Sequence, residues 1–211
     1  MYIPKNAVTQ AARSNKGVLS TNKIIELDND NKFTKPGVLE LIETDTLSGA
    51  SACELTNLPV TEYDIFYVTF DMHTGSHDVG IYGRFGHGGT FEESNYYYAH
   101  RTGFAGVSNV SYSSTSMWAM QIANLGTMAN SPDGLAFTGH CYLYDMGDST
   151  KYSMMNMHSS FMTRTSNIGA YAKGGGCYPT AKFHNSFRIF PNTGNFSGNV
   201  SIYGVRNYTW V

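Results

Sequence analysis

A chain of 211 residues can bury a substantial core and suits one domain with an appendage. Charged residues make up only 14% and the net charge is −2, while tyrosine (15) and glycine (22) are abundant. That balance speaks against a helical or strongly basic protein and for an all-β chain with many turns.

Residues 1–37 form a distinct segment. They hold six Lys/Arg against three Asp/Glu, and two aromatics, Tyr2 and Phe33. Residues 28–32 are turn-like, and Lys35, Pro36 and Gly37 read as a boundary. An extended N-terminal arm is expected, with Tyr2, Ile3, Lys5, Arg13, Lys16 and Lys23 anchoring it to a larger assembly. A solvated tail is the plainer reading of the same charges. The cations stand singly, without aromatic interleaving, so nucleic acid is not expected as a partner. Residues 1–5 lack the apolar stretch of a leader, and no run approaches a membrane span, so membrane insertion is not expected.

From residue 38 to 211 a β-domain is expected. Short apolar or alternating runs recur near 38–43, 50–56, 63–72, 78–85, 94–101, 116–123, 135–144, 151–158, 167–173, 183–190 and 198–206. Val79, Ile81, Gly83 and Phe85 against Asp78, Tyr82 and Arg84 give the clearest period of two, and Trp118, Met120 and Ile122 share a face in the next. Many short strands at this spacing predict an antiparallel two-sheet β-sandwich of jelly-roll type. The last two runs are joined by an Asn/Gly-rich turn and read as a closing hairpin.

The candidate chemistry is sparse. His73, His77 and His87, with Asp71 and Asp78, cluster around a glycine-rich turn, but the spacing matches no metal-ligand set and surface histidines fit better. Glu92 and Glu93 are neighbours on a chain that would point them to opposite faces, so a solvated turn is expected rather than a catalytic pair. Residues 83–89 lack the following helix of a phosphate cradle and read as a hairpin loop. Gly174, Gly175 and Gly176 read as a flexible loop. Ser197-Gly198 is no nucleophile elbow. Cys53, Cys141 and Cys177 are odd in number and far apart, so buried free thiols in a reducing cytosol are expected. Met155 and Met157 share a face and suit a core. No cofactor, metal or enzymatic activity is expected. Tyr96, Tyr97, Tyr98 and Trp118 remain as ring surfaces for a glycan or a neighbouring subunit, with core packing the competing role.

The order of the elements carries a resemblance. Leu39-Glu40-Leu41-Ile42 precedes a polar strand ending in Thr56-Asn57-Leu58, then the aromatic run Ile65-Phe66-Tyr67-Val68-Thr69-Phe70. The ending runs Phe196-Ser197-Gly198-Asn199-Val200-Ser201-Ile202-Tyr203-Gly204. Over residues 38–207 this resembles the β-sandwich proteins of tailed-bacteriophage virions, of the capsid-decoration and tail-fibre C-terminal types. The resemblance implies a virion structural protein made in the host cytoplasm and assembled as a homotrimer. Its arm would hold the major capsid protein or a tail component, and its sandwich would project outward. Without a fibre shaft or coiled-coil heptads, capsid decoration or cement is favoured over a tail-fibre or tail-tip protein that binds host glycan.

Overall fold

The computed structural model describes residues 39–74, 79–106, 109–117, 119–123, 137–162 and 169–205. The proposed arm (residues 1–37), Trp118, His77 and Asp78 lie outside them.

Alternation of bulky apolar and polar residues builds the larger sheet. In β3 (Ile65–Thr74), Phe66, Val68, Phe70 and Met72 are buried, while Tyr67, Thr69, Asp71 and His73 point the other way. The same period governs β9 (Phe137–Tyr144) and β10 (Met154–Met162), which bury Cys141 and Leu143, and Met155 and Met157, respectively. These strands join β1 (Leu39–Ala50), β6 (Tyr96–Phe104), β7 (Val110–Met117), β11 (Gly169–Cys177) and β13 (Phe196–Val205). Together they make an eight-stranded sheet in the order β1-β13-β3-β9-β10-β11-β6-β7. The smaller sheet has the order β2-β12-β4-β5 and comprises β2 (Cys53–Leu55), β4 (Ile81–His87), β5 (Thr90–Phe91) and β12 (Ser186–Pro191), with β8 (Met120–Ala123) paired to β4. All pairings are antiparallel, and the two sheets pack around one large apolar cluster that includes Phe66, Phe85, Phe187 and Ile202. The chain is an antiparallel β-sandwich, as expected.

Tyr96 ties the sheets together. Its ring is fully buried on the inner face of β6, and its hydroxyl meets Phe85 of β4. There it accepts from the Phe85 N–H at 2.9 Å and donates to the Phe85 carbonyl at 3.3 Å. Along that edge of β4, β8 pairs with Ile81–Gly83 and β5 with Gly86 and His87. The tyrosine hydroxyl serves the gap between them.

Four expectations change. The final two strands are no hairpin: β12 lies between β2 and β4 in the small sheet, while β13 lies between β1 and β3 in the large one. Both edges of β12 are already occupied, so the turn at residues 192–195 carries the chain across the sandwich. Gly174–Gly176 is not a loop but part of β11, paired on both sides. A Cβ at Gly174 would run into the Ala99 carbonyl oxygen and His100, so this close strand approach requires glycine. β7 went unread as a separate strand because its serines and threonine hide the period of two. Glu92, fourth, is not a solvated turn residue; its contacts are given below.

Of residues 83–89, expected as a hairpin loop, 83–87 belong to strand β4, and Gly88 and Gly89 alone form the loop, joining β4 to β5 with φ of 56° and 81°. Positive φ at both central residues is the two-residue turn that matches strand twist.

Candidate functional site

The outward face of the eight-stranded sheet is organised in rows, because antiparallel register places partners side by side. Row one runs Leu39, Val205, Ile65, Tyr144, Met154, Cys177, Tyr97. Row two runs Leu41, Tyr203, Tyr67, Tyr142, Asn156, Gly175, Ala99, Ser113. Neither row contains a charge. Leu39, Leu41, Tyr97 and Met154 are 46%, 59%, 44% and 45% exposed, four of the six large apolar side chains so exposed among the described residues. Contiguous exposure of this kind marks a contact surface rather than scatter.

The tyrosines of row two form a ladder. Tyr67 stands 4.8 Å from Tyr142 and 6.1 Å from Tyr203, ring centre to ring centre, with tilted planes. Partial burial, then the neighbouring Tyr142 and Tyr203, push the Tyr67 phenol up, so it stays neutral.

Row three changes character. Thr44, Ser201 and Thr69 lead into His140, His158, Lys173 and Arg101. His140 and His158 meet edge to face at 5.8 Å. Partial burial, then the neighbouring His158, lowers the His140 imidazole. The next row supplies Thr138, Ser160 and Tyr171, and the Lys173 ammonium lies 5.9 Å over the Tyr171 ring. The face is therefore apolar and aromatic along rows one and two, and beyond them hydroxylated toward β1 and β3 and basic toward β11 and β6.

Of Tyr96, Tyr97 and Tyr98, the described rings singled out from sequence, only Tyr97 faces this surface. Tyr96 is taken up by the core. Tyr98 points inward with it, half-buried, stacked on His100 at 5.6 Å and 3.4 Å from the Gln121 side-chain oxygen. Tyr67 was missed as a site residue, although the alternating Tyr67, Thr69, Asp71, His73 is the signal that could have found it.

A second constellation has the residue types of a catalytic triad. Ser153 Oγ lies 2.8 Å from His184 Nδ1, and His184 Nε2 lies 3.8 Å from Glu92 Oε1. Ser153 and His184 are both fully buried, so this serine offers no nucleophile to a substrate. Burial lowers the His184 imidazole to about 4, despite nearby Glu92, and keeps it neutral. Glu92 accepts from the Tyr178 hydroxyl at 3.0 Å and from the Lys182 ammonium. Burial opposes its charge, but these two donors hold the carboxyl below its ordinary range. The network fastens residues 178–185 to both sheets, with His184 N–H on the carbonyl of Met146, just after β9, at 2.7 Å and Asn185 N–H on that of Gly86 in β4 at 3.0 Å. Glu93, by contrast, is exposed and pairs with Arg84 at 3.2 Å.

His73 and His87 are both exposed, and no group of three or more His, Cys, Asp or Glu is poised for a metal among the described residues. Cys53 and Cys141 are buried free thiols and Cys177 is a half-buried one. No protein-family model matches the chain, and a comparison with curated proteins finds no relative.

Proposed function

We propose that this chain is a structural protein of a tailed-phage particle, held by residues 1–37 and presenting its β-sandwich as a capsid decoration or cement protein. Two things support the reading: the resemblance of residues 38–207 to virion β-sandwich proteins, and the character of the large sheet. The observation that carries it is the uncharged double row from Leu39 and Leu41 across Tyr203, Tyr67 and Tyr142. Such a surface suits contact with neighbouring copies, and closed symmetry, as in a homotrimer, would cover it on every subunit.

The basic row beside Tyr171 favours a second reading, a tail-fibre or tail-tip protein that holds a host-surface glycan. Copy number separates the two. Quantitative mass spectrometry of purified particles should find this chain in simple ratio to the major capsid protein. A handful of copies per particle would move it to the tail, and absence from particles would end both readings. Deleting residues 1–30 should abolish attachment while leaving the sandwich folded; retained attachment would rule out the arm as anchor.

A further inference from the structure

Acidic residues outnumber basic ones in this chain, 16 to 14, yet five adjacent strands lack them altogether. β9, β10, β11, β6 and β7 contain no Asp or Glu. On their outward face His140, His158, Lys173 and Arg101 stand in a single row. Successive strands are about 4.8 Å apart, so the row is a line of nitrogen groups spanning about 14 Å. Lys173 and Arg101 are exposed, and neither makes an ion pair among the described residues. The one acid of the neighbouring row, Asp71, is on β3, beyond Thr138 and away from the two strong cations.

Beside this row the surface is hollowed. Small side chains at Ala99, Ser113 and Gly175, with the Tyr97 ring as a wall, leave a depression of about 570 Å³. Arg101 and Lys173 stand just outside its lining, two positions beyond Ala99 along β6 and two positions before Gly175 along β11. Flanking Asn156 and Ser160 are exposed donors and acceptors.

We infer that this part of the sheet binds an acidic polysaccharide. A sugar ring stacks its apolar face on Tyr97 within the depression, and carboxylate, sulfate or phosphate groups of the chain lie along Lys173, Arg101 and His158. From Tyr97 to Arg101 is four residues of strand, about 13 Å, so the site takes at least two sugar units. The hydroxyls and the Asn156 amide beside the hollow favour a saccharide, whose OH groups they can bind, over nucleic acid. The inference stands on the sheet face and holds whether the protein sits on the shell or on the tail.

The test measures binding of the full chain by biolayer interferometry to polygalacturonate, to neutral dextran and to single-stranded DNA. Polygalacturonate should bind, weaken as salt rises, and exceed dextran at least tenfold. The double variant Arg101→Ala, Lys173→Ala should lose tenfold or more. Arg101→Lys, Lys173→Arg should keep most of the affinity, and unchanged circular dichroism should show all variants folded. Tyr97→Ala should weaken polygalacturonate binding several-fold. Failure to bind polygalacturonate, equal binding of dextran, no effect of Tyr97→Ala on polygalacturonate, or DNA binding as tight as polygalacturonate would each overturn the inference.

Discussion

Replacing His100 with Phe should make this protein more stable and remove part of its acid sensitivity. His100 is only 4% exposed, on the inner face of β6, stacked between Tyr98 at 5.6 Å and Tyr112 at 5.0 Å. Neither ring nitrogen has a hydrogen-bond partner. Leaving such a group unpaired costs about 1–3 kcal/mol, and Phe keeps the ring and its stacking while removing both nitrogens. Burial also lowers the His100 imidazole from 6.5 to about 4. The folded state thus resists a proton that the unfolded chain accepts. Stability from this residue is intact above pH 6.5, declines as pH falls below that, and levels off below about 4. The loss is about 2 kcal/mol by pH 5 and about 3 kcal/mol over the whole window, at about 1.4 kcal/mol per pKa unit. Urea denaturation of wild type and His100→Phe at pH 7.5 and pH 5 measures both effects. The variant should be the more stable at pH 7.5, and its advantage should widen by about 2 kcal/mol at pH 5. Parallel pH dependence in the two proteins, or a variant less stable at both pH values, would show that the unpaired His100 imidazole carries neither cost.

Tyr96→Phe removes the hydroxyl that serves the Phe85 N–H and carbonyl, and should cost about 1–3 kcal/mol in chemical denaturation, with the ring's packing preserved. Gly174→Ala forces a Cβ against the Ala99 backbone and should cost about 1–3 kcal/mol or more, read as a lowered denaturation midpoint. Ser153→Ala strips His184 Nδ1 of its partner and should destabilise by about 1–3 kcal/mol in the same assay.

Much of the sandwich was legible in the chain, and the reasons are local. Ile65–Thr74 and Met154–Met162 set large apolar residues at every second position, so burial on one face dictates the strand. β7 set Ser and Thr where neither face contrasts with the other, and only pairing with β6 makes it visible. The closing segments read as a hairpin because both are good strands a few residues apart. Strand quality does not decide sheet membership; free edges do, and β12 has none to offer β13. Glycines 174–176 resemble a loop until two neighbouring strands are seen pressing on them.

The candidate site was less legible, because it exists only across strands. His140, His158, Lys173 and Arg101 come from four strands, and register alone lines them up. The adjacent tyrosines 96, 97 and 98 drew notice as a run, yet strand geometry sends the first and last inward. Tyr67, Tyr142 and Tyr203, far apart in sequence, make the outward ladder instead.

The proposed contact surface between copies of this chain is the part of the uncharged double row on β1, β13, β3, β9 and β10, from Leu39 and Leu41 to Met154 and Tyr142. Sedimentation velocity of the purified protein, over a range of concentrations, tests it against the variant Leu41→Glu, Met154→Glu. Both side chains are about half exposed, so the changes leave the core intact. The wild type should sediment as an oligomer and the variant as a monomer with an unchanged far-ultraviolet circular dichroism spectrum. A wild type that stays monomeric, or a variant that assembles equally well, would contradict the proposed contact.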